Sequence, residues 1–201
     1  MSIIQNSIRK LDRVFQRLRI RNMNSNKKAE VHIANTVRLD KQSKVLAYAN
    51  THILVGNNVY LRSNPNVYHT GMPFPTTLLA DKPDALISIG ANCRLNGVYV
   101  HSQKAIQIGD NCVIAAGVNI IDSNGHQVNS SNRTIGRDDS QPIVIGNNVW
   151  IGLNAIILKG SIIGDNCVIS AGSVVKGIFP NNSLIQGNPA QNISELHIVH
   201  Q

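Results

Sequence analysis

The chain has 201 residues, 42% of them hydrophobic and only 4% aromatic, and carries a formal charge of +8. That length suffices for one domain with a sizeable core, and the scarcity of rings means the core must be filled by Ile, Val, Leu and small residues. No apolar run is long enough for a transmembrane helix, and the N-terminus lacks the apolar stretch and small-residue cleavage site of a signal peptide, so a cytoplasmic location is expected. The charge is uneven: residues 1–28 hold eight basic residues against Asp12 alone, while residues 29–201 hold 11 basic and 10 acidic. A nearly neutral body gives no expectation of a nucleic-acid partner.

In chain order, Ile4, Ile8, Leu11, Phe15 and Leu18 follow 4-3-4-3 spacing within the basic segment 1–28. That spacing predicts an amphipathic helix. Its apolar face packs within an oligomer of the chain, or it rests on an anionic membrane surface, where each basic residue contributes about 1 kcal/mol. The main body is expected over residues 29–190, with a tail at 191–201. Within it, Val55-Gly56-Asn57-Asn58-Val59 and Ile89-Gly90-Ala91-Asn92-Cys93 look alike, separated by an irregular excursion over residues 62–87. From Ile108 an aliphatic residue recurs every sixth position, at Ile108, Ile114 and Ile120 and then at Ile145, Ile151, Ile157, Ile163, Ile169 and Val175. A period of six fits neither a helix nor a long alternating strand. It fits a coil of three short sides, with the aliphatic residues stacked in a narrow interior and Gly or Asn steps at the corners.

The run Ile145-Gly146-Asn147-Asn148-Val149-Trp150-Ile151-Gly152 and the closing Gly187-Asn188-Pro189-Ala190 resemble the hexapeptide-repeat acyltransferases, most clearly over residues 86–190. The resemblance implies an all-β fold, a left-handed parallel β-helix, which departs from the usual right-handed crossover. It also implies a homotrimer with acetyl-CoA lying between neighbouring subunits. On that analogy Gly152, Leu153, Ala171 and Gly172 contact the pantetheine arm, and Lys176 stands near the nucleotide end. Two departures bear on the phosphates: Val175-Lys176-Gly177 replaces a Thr-Lys-Asp step, and Gln191 stands where Lys or Arg is common.

Between Ile120 and Ile145 a continuing hexad needs six residues and the chain has 25, so 19 residues, about 124–142, leave the coil as a protruding loop. Long loops on rigid scaffolds frequently carry function. This one carries Gly125-His126, and acetyl transfer to a hydroxyl needs a base titrating near neutrality, which histidine supplies. In the galactoside and maltose O-acetyltransferases a Gly-His or similar step precedes the same Ile-Gly-Asn-Asn-Val-Trp-Ile-Gly run and the histidine is the base, so the resemblance assigns His126 that role. Asp122 either orients His126 or caps the corner. Asn96 either lines the acceptor site, as the resemblance implies, or is a corner asparagine. Trp150 should point outward, to stack on a sugar, brace the cofactor arm or pack between subunits. Cys93, Cys112 and Cys167 occupy inward small positions and read as reduced core thiols rather than nucleophiles.

The expected function is acetyl-CoA-dependent O-acetylation of a sugar or glycan hydroxyl, in bacterial surface polysaccharide biosynthesis. Amino-sugar N-acetylation and antibiotic acetylation remain open on the same scaffold, as does a noncatalytic assembly role. A γ-class carbonic anhydrase needs clustered histidines, a pair of them five apart, and the seven here offer no such pair, so no metal is expected.

Overall fold

A computed structural model describes residues 28–199; the helix expected over Ile4 to Leu18 lies outside them. The described chain winds into a left-handed parallel β-helix of seven coils, and its three faces are three sheets. Face A stacks β1 (Glu30–Ile33), β4 (His52–Val55), β7 (Leu86–Ile89), β10 (Ala105–Ile108), β13 (Ile143–Ile145), β16 (Ile162–Ile163) and β19 (Ile178–Phe179). Face B stacks β2 (Arg38–Leu39), β5 (Tyr60–Arg62), β8 (Arg94–Asn96), β11 (Val113–Ile114), β14 (Trp150–Ile151), β17 (Val168–Ile169) and β20 (Ser183–Gly187). Face C stacks β3 (Lys44–Ala47), β6 (Thr77–Ala80), β9 (Tyr99–Ser102), β12 (Asn119–Ile121), β15 (Ile156–Leu158) and β18 (Val174–Val175).

The period of six is the reason for this shape. Each hexad makes one side, so like residues return after three hexads, one strand spacing of about 4.8 Å along the axis. Ile108 therefore pairs with Ile145, Ile114 with Ile151 and Ile120 with Ile157. The inserted loop leaves this register undisturbed. Ile114, Ile120, Ile151 and Ile157 are fully buried, each contributing about 1.5–3 kcal/mol of apolar burial. A second interior column, Cys93, Cys112, Val149 and Cys167, is equally dry.

The corner between faces A and B explains the Gly-x-Asn signature. A Cβ on Gly56, Gly90, Gly109 or Gly146 would lie 2.7–2.8 Å from the carbonyl carbon of the glycine in the next coil, so only glycine fits. Two residues on, Asn58, Asn92, Asn111, Asn148, Asn166 and Asn182 all adopt left-handed φ between 55° and 61°, which asparagine tolerates better than other side chains. Their amides form a ladder: Asn148 donates to Asn166 at 2.9 Å and Asn166 to Asn182 at 3.1 Å.

The excursion is shorter than the sequence pattern suggests. It runs from Ser63 to Thr76, with one 3-10 turn at Pro65–Val67, because Thr77–Ala80 rejoins face C in register with Tyr99–Ser102. Leu78 and Ala80 are fully buried there. At the far end, β21 (Ala190–Glu195) folds back antiparallel on β20.

Candidate active site

The loop leaves the coil at the edge between faces C and A, after Ile121, and re-enters at Ile143. Asp122 is fully buried, and its carboxylate accepts from Ser102 Oγ at 2.9 Å and from the amides of Gln103 and Lys104 at 2.7 and 2.8 Å. Those three donors belong to the corner of the preceding coil. Of the two roles open to Asp122, the geometry supports the corner cap: both carboxylate oxygens are spent on a turn that lacks strand partners of its own, and neither is directed to His126.

The group that shapes the loop root is one the sequence reading missed. Asp138 is buried and accepts from Ser123 Oγ (2.7 Å), Asn124 N (2.7 Å), Gly125 N (3.1 Å) and Lys159 Nζ (2.6 Å). Lys159, on the next coil, also donates to Asp139 O at 2.9 Å. Burial by itself would raise the Asp138 pKa, but the Lys159 ammonium, the Asn124 amide and the Ser123 hydroxyl reverse this and hold it at about 2. The available signal was an Asp-Asp step four residues before the repeat resumes, which spacing alone does not connect to Ser123. His126 follows directly on the second anchored amide. Its backbone root is therefore fixed while the side chain is exposed. The returning end of the loop is tied down separately, by Arg137 Nη1 at 3.7 Å from Asp81, whose other oxygen stands 3.0 Å from His101 Nε2 off the hydrogen-bond line.

The other candidate residues divide between the two edges of face C. Gly152 and Leu153 on one coil and Ala171 and Gly172 on the next lie at the B–C edge, linked by the Gly172 amide to Leu153 O at 2.8 Å. A Cβ on Gly152 would meet Ala171 N at 2.6 Å, whereas one on Gly172 would meet nothing within 4 Å. Ala171 and Gly172 are exposed, Leu153 is half-buried and Gly152 is buried against Ala171, so this edge is a smooth ridge suited to an extended chain bearing amide groups. Trp150 stands on face B beside that ridge, 56% exposed, as its position before an inward Ile requires.

Asn96 ends β8 at the same edge, two coils nearer the N-terminus. It is 5% exposed and its Nδ2 donates to Ile114 O at 2.8 Å. One amide hydrogen is thus spent on the stacking of the coils, which leaves the second N–H and Oδ1 for a ligand. Lys176 is exposed, but at the C–A edge, as His126 is. About four extended residues, roughly 13 Å, separate it from Gly172.

The structure thus places His126 and Lys176 on one edge and Asn96, Gly152, Leu153, Ala171 and Gly172 on the other. It does not bring the two sets together within one chain. A groove of about 580 Å³, lined by Val31, Ile33, Leu54 and Val55 among others, lies on face A of the first coils, away from both sets.

The cysteines are core. Contact with Cys93 and burial push the Cys112 thiol up, and burial pushes Cys167 up. Among the described residues, no three of His, Cys, Asp and Glu gather where a cation could be held, and no helix is long and apolar enough to cross a membrane.

Residues 142–177 match the model for the bacterial transferase hexapeptide (six repeats), and residues 87–121 that for the hexapeptide repeat of succinyl-transferase. Over 112 residues the chain is 41% identical to the galactoside O-acetyltransferase of Escherichia coli K12, covering 55% of each protein. Over 119 residues it is 36% identical to a putative lipopolysaccharide biosynthesis O-acetyl transferase of the same strain, covering 55% of this chain and 61% of that one. The matched stretch therefore spans little more than half the length of these relatives. In fold it resembles a galactoside acetyltransferase solved in complex with coenzyme A, with TM-score 0.52 and 29% identity over 84% of this chain and 64% of that one. It also resembles a maltose O-acetyltransferase of Clostridium difficile 630, with TM-score 0.53 and 24% identity over 93% and 87%.

Proposed function

We propose that this hexapeptide-repeat chain is an acetyl-CoA-dependent O-acetyltransferase that modifies a sugar or glycan hydroxyl, with His126 as general base. The observation that carries the reading is the loop itself. A polar insertion interrupts the hexad run that begins at Ile108, its root is clamped by Asp138, and the residue following the clamp is an exposed histidine. The likeness to galactoside O-acetyltransferase supports the same chemistry.

In this reading acetyl-CoA supplies the acetyl group as a thioester, with its pantetheine arm along the ridge of Gly152, Leu153, Ala171 and Gly172. His126 takes the proton of the acceptor hydroxyl as that oxygen bonds to the thioester carbonyl carbon. As the carbon–sulfur bond breaks, the imidazolium returns the proton to the leaving sulfur. A backbone amide of the groove steadies the developing oxyanion, and no acyl-enzyme forms.

His126 and the ridge stand on different edges, so a second copy is needed to close the groove, and a homotrimer in which one chain's C–A edge faces its neighbour's B–C edge meets that need. Lys176 enters the same groove two coils beyond the loop that carries His126, toward the nucleotide end. We place the enzyme in the cytoplasm, with residues 1–28 as a peripheral contact to anionic lipid; liposome flotation with and without them tests that contact, and equal flotation refutes it.

Thiol release from acetyl-CoA against a panel of sugars tests the mechanism. His126→Ala should lose a factor of about 10²–10⁴, and unchanged turnover overturns it.

A further inference from the structure

Face B carries a cluster with no part in the scheme above. On the first three coils, Arg38, Tyr60 and Arg94 occupy one outward column in register, so neighbours are about 4.8 Å apart along the axis. Arg62 lies two residues beyond Tyr60, in register with Asn96. The guanidinium carbons of Arg38 and Arg62 stand 4.6 and 4.8 Å from the centre of the Tyr60 ring, and that of Arg62 is 5.6 Å from the Tyr68 ring.

The charges are unbalanced. Among the described residues, none of Arg38, Arg62 and Arg94 forms an ion pair with a carboxylate. The acid of this region, Asp40, takes the Tyr60 hydroxyl at 3.0 Å and the amides of Ser63 and Asn64 at 2.8 and 3.1 Å. Arg62 Nε is buried and has no hydrogen-bond partner. A guanidinium stacked on a ring uses its flat face and keeps its edge donors for an anion. Three cations this close repel one another, and an anion among them removes that repulsion while satisfying the idle donors.

From this cluster we infer that the acceptor is an acidic glycan, held by Arg38, Arg62 and Arg94 through a carboxylate or phosphate on a sugar unit beside the one acetylated. The inference rests on the acyltransferase reading for its chemistry and on the cluster for its charge. Position supports an acceptor rather than the cofactor phosphates. Arg94 and Asn96 share β8, two coils N-terminal to Gly152, and Lys176 lies beyond the ridge in the other direction. The tyrosines add ring faces on which sugar CH groups stack.

Initial rates of thiol release from acetyl-CoA should be measured with a galacturonate oligosaccharide, a phosphorylated oligosaccharide and a neutral malto-oligosaccharide, and binding of each should be followed by calorimetry. One acidic acceptor should exceed the neutral one at least tenfold in kcat/KM, and which one it is identifies the anion. That ratio should fall at least tenfold in Arg94→Gln, and should also fall as salt is raised. Arg62→Gln disturbs the tyrosine stack, so the exposed Arg94 is the primary variant. A neutral acceptor served as well as either acidic one overturns the inference, as does an unchanged ratio in Arg94→Gln or a raised KM for acetyl-CoA alone. If the acidic glycan binds but no acceptor elicits thiol release, the acyltransferase reading fails and the binding site stands. If neutral sugars are acetylated with His126-dependence and acidic glycans do not bind, the reverse holds.

Discussion

Replacing Asp138 by Asn should release the root of the loop that carries His126 while keeping the side chain's shape. Every partner of the carboxylate is a donor: Ser123 Oγ and Gly125 N on Oδ1, Asn124 N and Lys159 Nζ on Oδ2. With the introduced NH2 at the Oδ2 position, Asn124 N loses its acceptor; with it at the Oδ1 position, Gly125 N keeps Ser123 Oγ at 2.9 Å and loses only its longer bond; in both, the negative charge facing Lys159 is gone. The carboxyl is held at about 2 against an ordinary 3.8, which corresponds to roughly 2 kcal/mol of preference for the ionised form. Losing it should raise the opening equilibrium at the root by about 30-fold. Hydrogen exchange at the amides of Asn124 and Gly125 reads this directly, and protection there should fall by that factor while the amides of β12 and β15 stay protected. Because the folded-state value is depressed, the anchor is complete above pH 4 and is lost as pH falls from about 4 through 2. Asp138→Asn should abolish that pH dependence. Unchanged protection at Asn124 and Gly125, or loss spread evenly over the coils, would show that Asp138 does not hold the loop.

At the A–B corner, Asn166→Ala loses both tolerance of φ 58° and two ladder hydrogen bonds, a cost of about 2–4 kcal/mol. Asn166→Gly loses only the bonds, so urea denaturation should rank wild type, Gly and Ala in that order, and equal losses would refute the division. Ile151→Ala opens a cavity at a fully buried rung and should cost about 2–5 kcal/mol in the same assay; a loss under about 1 kcal/mol would mean the coils collapse around the gap. Cys112 and Cys167, with raised pKa values, should resist a thiol-specific disulfide reagent at pH 8 in the folded protein and react on unfolding.

The hexad repeat made the coil legible, because each corner and each inward position is a local requirement that the chain meets again every six residues. Ile108, Ile114 and Ile120 resume at Ile145, Ile151 and Ile157 with the register intact, and the same count exposed residues 124–142 as foreign to the coil. His126 stood out as the residue there suited to proton transfer. The N-terminal coils were harder to read, since a Pro- and Asn-rich excursion hides the return of Thr77–Ala80 to face C.

The periodic scaffold, the place where it is interrupted and the histidine carried there are therefore legible in the order of residues. What grips the loop and which candidates share an edge follow only from the stacking of the coils. Asp138 meets Ser123 and Lys159 across separations of 15 and 21 residues, and Asp122 proved to be occupied by the coil beneath it. The arginines of face B likewise come from three coils and become a cluster only when stacked. The physical reason is one of range: the repeat is written in nearest-neighbour steps, whereas these contacts depend on coil stacking and on the path of a loop that has no repeat of its own.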